Sequence, residues 1–150
     1  PSTTTTLGQC LLKFCSLERP EEAYECDNCH QRTRPRRRMT LWRAPQILVI
    51  QLKRNVYDPC MNRFVKNVRP VKMPLRMNIH KFMTSDVSGR EQEFTYELFA
   101  TANHIGGANG GHCYSWILKD GHWYVCDDAH IQRFASVSDA NNYLLFYRKA

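Results

Sequence analysis

The spacing of apolar residues changes character along the chain. Leu7, Cys10, Leu11, Phe14 and Cys15 recur at intervals of three and four, the repeat of one helix face, so residues 7–17 are predicted as a short amphipathic helix. Thr6 stands at the cap position before it and Pro20 ends it. From Trp42 onward the period shortens. Ile47, Leu48, Val49, Ile50 and Leu52 form a dense β-branched run, predicted as a buried strand. Pro59, Pro70 and Pro74 break up residues 55–80, where loops and short strands are expected. SDVSGREQE at 85–93 reads as a polar turn and FTYELFATAN at 94–103 as a strand. HIGGANGGH at 104–112 carries four glycines and is expected to be a flexible loop. CYSWIL at 113–118 and HWYVC at 122–126, joined by Lys119–Asp120–Gly121, predict a β-hairpin. SVSDANN suits a helical turn, and YLLFYRK at 143–149 a closing strand. The expected class is α+β, a mostly antiparallel sheet with a short N-terminal helix.

Composition narrows this only a little. A chain of 150 residues is about one domain, and one of that size buries roughly 68–70% of its unfolded surface. Hydrophobic residues at 43% and charged residues at 23% exclude disorder as the main state. No run approaches the ~20 apolar residues that cross a bilayer, so no membrane partner is expected. PSTTTTLGQC lacks a basic segment followed by an apolar one, and no signal peptide is expected. Lys plus Arg is 21 and Asp plus Glu is 14, a net +7 that weakly favours acidic partners. Seven cysteines is an odd number, and two of them form a tight CxxC. Free thiols in a reducing compartment, cytosol or nucleus, fit better than an oxidised scaffold.

Three groups of residues carry candidate chemistry. Cys26 and Cys29, in YECDNCH, place two thiols on one turn, where they can grip one tetrahedral zinc; the competing reading is a plain turn with two free thiols. Four ligands are needed and this pair supplies two; His30 is badly placed to share the ion, and Cys10 and Cys15 belong to the apolar helix face. Arg32, Arg34, Arg36, Arg37 and Arg38 could bind phosphate, but Pro35 interrupts them and no aromatic lies among them, so a solvated edge is the better reading. His112 begins the first strand of the C-terminal hairpin, while Asp127 and Asp128 end its second. A carboxylate there can reach the imidazole, hold its tautomer and stabilise its charged form. That is a base and its orienter without a nucleophile. Cys113 and Cys126 adjoin these residues and so point to opposite faces, and Cys10 is expected in the core.

In this order the segments resemble the ubiquitin-specific protease family of papain-like deubiquitinases. TLGQCLLKF is similar to its L-x-x-C-L-x-x-F helix, YECDNC to the Y-x-C-x-x-C of its fingers, and APQILVIQLKR to its P-x-I-L-V-I-x-L-K-R strand. YELFATANHIGGANGGHCYSWI, HWYVCDDAHI and YLLFYRK are similar to the family's His, Asp and closing segments. The resemblance implies the fingers and palm portion of a papain-like cysteine protease, the C-terminal half of a catalytic domain. Residues 7–40 would be the helix and fingers zinc turn, and residues 41–150 the palm. His112 would be the general base and Asp127 its orienting acid, with Asp128 as a rival for that role. Cys26 and Cys29 would be half of a four-cysteine structural zinc site. His104 to Gly111, with Gly110, Gly111 and Cys113 at its end, would flank the ubiquitin tail. The nucleophilic Cys would come from an upstream segment, since LGQC at 7–10 lacks the residue between Asn and Cys in the family's L-G-N-T-C-like box. Cys113, Trp116, Asn55 and Cys126 depart from the family pattern. The implied partners are ubiquitin, ubiquitinated proteins and the upstream half; nucleic acid is not expected. The alternatives are a non-catalytic ubiquitin-binding scaffold of the same fold, or a basic zinc module for RNA or DNA.

Overall fold

The computed structural model describes residues 5–84, 91–138 and 140–150. Strand β1 (Thr5–Thr6) leads into helix α1 (Leu7–Phe14). Thr6 Oγ1 accepts from the Gln9 amide and the Gln9 side chain accepts from the Thr6 amide, a reciprocal cap that fixes the helix start where the sequence placed it. The helix is shorter than the periodicity suggested. Cys15 closes it, and Leu17 stands 54% exposed beyond it.

The β-elements then follow in chain order. They are β2 (Tyr24–Glu25), β3 (Arg32–Thr33), β4 (Ile47–Gln51), β5 (Asn55–Asp58), β6 (Arg63–Lys66), β7 (Val71–Lys72) and β8 (Arg76–Asn78). After them come β9 (Thr95–Gly106), β10 (Gly111–Lys119), β11 (His122–Asp127), β12 (His130–Phe134) and β13 (Asn142–Lys149). One antiparallel sheet runs β12-β11-β10-β9-β13-β4, with β8 also paired to β9. The pairs β2–β3 and β5–β6 are separate small ribbons, and β1 pairs β7 in parallel.

The core gathers sheet residues with Leu7 of α1 and with Val71, Met73, Ile79, Phe82 and Met83 from the segments that precede β9. Leu7, Tyr96, Leu145 and Tyr147 are fully buried. Each such side chain contributes about 1.5–3 kcal/mol relative to exposure. The buried tyrosines keep their hydroxyls satisfied, Tyr147 donating to the Pro74 carbonyl at 2.8 Å and Tyr96 to the Pro45 carbonyl at 2.5 Å. Along β9 the buried positions run 96, 98, then 101 and 103. The alternation slips where a bulge sets Leu98 opposite Tyr147 but Ala100 opposite Phe146.

Several expectations are corrected. Of the run, Ile47–Gln51 is a strand but not a buried one: Ile47 is 45% and Val49 51% exposed, while Leu52 beyond its end is in the core. The reason is position, since β4 is the last strand of its sheet and pairs β13 alone. The glycine loop at 104–112 is mostly ladder. Gly106 pairs Gly111, Ile105 pairs His112 and His104 pairs Cys113, leaving residues 107–110 as the connection. Gly106 adopts φ 121°, and that freedom lets the two strands stay paired to their ends. The hairpin turn narrows to Asp120 (φ 49°) and Gly121 (φ 76°). Strand β12 was not foreseen. SVSDANN forms bends and a turn rather than a helix, with Asp139 outside the described residues. Of the polar turn expected at 85–93, residues 85–90 lie outside them too, and Glu91–Phe94 is a 3₁₀ turn.

Candidate active site

The β9–β10–β11 ladder brings His112, Asp127 and Asp128 together. The β10–β11 register ends at Ser115 opposite Cys126, so Asp127 lies one step further on, diagonal to His112. His112 Nε2 and Asp127 Oδ1 are 2.5 Å apart. Asp128 turns left-handed at φ 50° and opens the tight link to β12. Aspartate tolerates that conformation better than most residues. The turn keeps the Asp128 carboxylate with the pair: the ligand-type atoms of all three residues lie within 4.8 Å of one another. The sequence had left Asp128 free to face elsewhere; the fold places it on the same site.

The site is open, with the His112 and Asp127 side chains 49% and 45% exposed. The Asp127 hydrogen bond and then its charge hold the His112 imidazole above the ordinary histidine value; burial opposes them, and Asp128 adds the smallest push upward. One ring nitrogen is thus committed to Asp127. Nδ1 has no hydrogen-bond partner among the described residues. No cysteine thiol is bonded to His112 among the described residues. Cys113, its neighbour in the strand, points to the other face, and Cys10 packs against the core.

Beside the pair sits the mouth of the β9–β10 hairpin. His104 lies directly across from Cys113. Lys66, on β6, donates to His104 Nδ1 at 2.9 Å and to the His104 carbonyl at 2.5 Å. These bonds tie the β5–β6 ribbon to the hairpin mouth. Lys66 is held below the ordinary lysine value by burial and then by the Arg54 charge, with the Cys113 thiol opposing. A Cβ at Gly111 would lie 2.0 Å from the Ile105 carbonyl and 2.6 Å from His104 Nε2, so only glycine fits there. Gly110 borders open space. The four residues expected around a substrate tail, His104, Gly110, Gly111 and Cys113, are therefore gathered at one place. Lys66 joins them, and nothing in its local sequence marked it.

The family model described as ubiquitin carboxyl-terminal hydrolase matches residues 12–147. The chain belongs to the ubiquitin carboxyl-terminal hydrolase family. It is similar to ubiquitin carboxyl-terminal hydrolase 9 of Arabidopsis thaliana, 31% identical over 153 residues that cover 96% of this chain and 16% of that protein. It is also similar to ubiquitin carboxyl-terminal hydrolase 22 of Bos taurus, 34% identical over 169 residues, 99% of this chain and 32% of that one. Among solved structures, the SAGA Ubp8/Sgf11/Sus1/Sgf73 DUB module bound to ubiquitin aldehyde superposes with a TM-score of 0.83 at 23% identity, covering 99% of this chain and 34% of that one. The fold is thus the papain-like fold of ubiquitin-specific proteases, its fingers and palm portion. The chain spans about a sixth to a third of the length of these relatives.

The second candidate of this hydrolase-family chain, the CxxC, sits on the separate β2–β3 ribbon. Cys26 N donates to the Gln31 carbonyl at 3.0 Å and His30 N to the Cys26 carbonyl at 2.7 Å, which winds a tight knuckle. The amides of Cys29 and Asn28, then the Cys29 thiol, hydrogen-bond the Cys26 sulfur and lower its pKa. A turn that aims amides at sulfur stabilises thiolate, the form zinc needs. His30 reaches Glu25 at 4.0 Å instead, and no third metal-ligating side chain groups with the two cysteines among the described residues. The arginine run is exposed along β3 and beyond; Arg37 pairs with Glu18 at 3.0 Å.

Proposed function

We propose that this chain is the base-bearing part of a thiol-dependent deubiquitinase, hydrolysing isopeptide bonds at the C-terminal glycine of ubiquitin. The observation that carries the reading is the 2.5 Å contact between His112 and Asp127 at the mouth of a glycine-bearing hairpin. An upstream segment supplies the Cys nucleophile. His112 takes the thiol proton, and the thiolate attacks the glycine carbonyl. As the tetrahedral intermediate collapses, the C–N bond breaks and His112 gives that proton to the departing lysine amine. His112 then removes a proton from water, which attacks the thioester and releases ubiquitin and the free thiol. Asp127 orients the ring and stabilises its charged form throughout, and Asp128 adds negative potential. Gly110 and Gly111, with His104 and Cys113, flank the slot for the Gly-Gly tail, where side chains would obstruct it.

Cys26 and Cys29 would hold a structural zinc together with two ligands from outside residues 1–150, closing the fingers tip. The ion would lend stability there and takes no part in the reaction. Seven free thiols support a cytosolic or nuclear home. Among the described residues no helix is long and apolar enough to cross a membrane.

The test is a matched set of variants in the polypeptide that carries the Cys segment. His112→Ala should abolish cleavage of a ubiquitin C-terminal amide while ubiquitin affinity holds. Asp127→Ala should cost more than Asp127→Asn, whose amide oxygen still accepts from the ring; in serine proteases the orienting carboxylate is worth ~10⁴ in rate. If Asp128→Ala stops turnover and Asp127→Ala is mild, the two acids exchange roles. Normal turnover by His112→Ala would leave the non-catalytic ubiquitin-binding scaffold as the reading.

A further inference from the structure

Five of the seven residues from Arg32 to Arg38 are arginines, and the proposed function uses none of them. The fold sorts them by face. Glu18 and Arg37 form an antiparallel bridge, the Glu18 amide donating to the Arg37 carbonyl at 2.8 Å and the Arg37 amide to the Glu18 carbonyl at 3.0 Å. Their side chains close an ion pair at 3.0 Å, so Arg37 is neutralised by this chain's own acid. Successive side chains of an extended strand point to opposite faces. Arg19 and Arg36, each one step from the bridge, therefore turn together to the other side. Pro35 favours extended backbone at Arg34, and positions 34 and 36 then share a face.

These three arginines meet at one cleft of about 340 Å³, completed by Pro20 and Glu21. Arg19, Arg34 and Arg36 are all exposed, and none of their side chains has an ion-pair or hydrogen-bond partner among the described residues. Glu21 is the one acid among the lining residues. Three guanidiniums against one carboxylate leave the cleft net cationic, and a concave wall of one sign concentrates ions of the other. Arginine rather than lysine at all three positions favours an oxyanion that accepts two N–H bonds from a planar fork.

We propose that this cleft binds a phosphate monoester carried on a phosphoserine or phosphothreonine of a protein segment. Such a group bears a charge of about −1.5 to −2 at neutral pH and offers three acceptor oxygens, a match for guanidiniums arriving from three positions. A side-chain carboxylate brings one charge and two oxygens, fewer than Arg19, Arg34 and Arg36 can use together. Nucleic acid fits less well. Each backbone phosphate carries a single charge, and no aromatic side chain is among the lining residues for a base to stack on. Glu21 selects a peptide over a free polyphosphate, because it repels further phosphates yet can accept from a peptide amide beside the phosphorylated residue. Pro20 offers that peptide an apolar contact. The cleft lies in the segment between α1 and β4, separate from His112 and Asp127, so this inference stands whether or not the catalytic reading does.

The experiment titrates the undivided polypeptide that includes the Cys segment into a fluorescent alanine-rich peptide with one central phosphoserine, read by anisotropy. The phosphopeptide should bind at least about tenfold more tightly than the same peptide with serine or glutamate at that position. Arg19→Ala, Arg34→Ala and Arg36→Ala should each weaken it by about tenfold, the loss of one charge-assisted contact. Arg36→Lys should recover only part of that loss, since an ammonium keeps the charge without the fork. Arg32→Ala removes an equal charge outside the cleft and should leave the affinity unchanged. All these side chains stand in solvent, so the variants should melt with the parent. A phosphopeptide bound no more tightly than its unphosphorylated twin overturns the site, as does an Arg32→Ala loss equal to that of Arg36→Ala. Inorganic pyrophosphate and a single-stranded DNA oligonucleotide serve as competitors. Displacement by either at a lower concentration than the unlabelled phosphopeptide requires overturns the peptide as ligand, in favour of a free polyphosphate or of nucleic acid.

Discussion

Replacing Gly111 by alanine tests whether the hairpin mouth sets the position of the base. The added Cβ would lie 2.0 Å from the Ile105 carbonyl oxygen and 2.9 Å from His104 Cε1. A carbon normally approaches such an oxygen no closer than about 3.3 Å, so about 1.3 Å must be found. The obstacle is backbone on the paired strand, not a side chain that can rotate away. The strands must part at Gly106–Gly111 and Ile105–His112, the last two rungs of the ladder. Overpacking of this kind costs about 1–3 kcal/mol, and at about 2–4 °C per kcal/mol a domain of this size should melt about 2–12 °C lower. Gly107→Ala and Gly110→Ala meet nothing within 4 Å and are the matched controls, expected within about 0.5 kcal/mol of the parent. His112 is the next residue, and a displacement near 1 Å at a reacting group costs ~10² in rate. Thermal melts of all three variants, with the His112 ring resonances followed by NMR, read both effects. A Gly111→Ala protein that melts with its controls and keeps the parent His112 resonances refutes the reasoning.

Two further outcomes follow from the same geometry. Asp127 holds His112 above the ordinary histidine value, so the ion pair stabilises the fold below the unfolded value of ~6.5 and that contribution fades as pH rises through the raised folded value. Asp127→Asn should lower the His112 titration midpoint toward the ordinary value and move the acidic limb of turnover, which needs neutral imidazole, to lower pH; an unmoved NMR titration curve contradicts it. Cys26→Ser should release zinc from the polypeptide that supplies the other two ligands and lower its melting temperature, with the pH profile of turnover unmoved, as metal analysis and melts can check; a metal-free parent protein counts against the assignment.

What was legible in the sequence were features decided locally. Thr6 announces the helix cap and Lys119–Asp120–Gly121 a tight turn, because the atoms that decide them lie within four residues of each other; the reciprocal bond from Gln9 and the narrowing of the turn to Asp120–Gly121 came only with the structure. The approach of Asp127 to His112 was legible for a related reason, since a tight turn fixes the register of the two strands and the register fixes the diagonal. Features decided by distant partners were not. HIGGANGGH reads as loose by composition, yet its glycines allow the close approach that keeps the ladder paired to Gly106. Strand β12 is exposed at all five positions, so it carries no apolar alternation to announce it. It forms because β11 offers a free edge, and its Phe134 packs edge-on against Trp116 with ring centroids 5.1 Å apart. Lys66 reaches His104 across 38 positions of sequence, a contact set by how the β5–β6 ribbon folds back.

The catalytic pair of the proposed function is positioned by this chain but not enclosed by it. His112 and Asp127 are held at bonding distance by rigid ladders, so orientation, the contribution of scaffold to catalysis, is already present in this chain. Their environment is not yet that of an active site. With nearly half of each side chain in water, the field of Asp127 on the ring is screened, and electrostatic catalysis depends on excluding that water. Under the proposed function the segment that brings the thiol to His112 also covers the pair and shuts that water out. Arg54 braces the same scaffold from beneath: its Nε donates to the Asn142 carbonyl at the start of β13, and Asn142 pairs Asn103 on β9, one residue before His104 at the hairpin mouth.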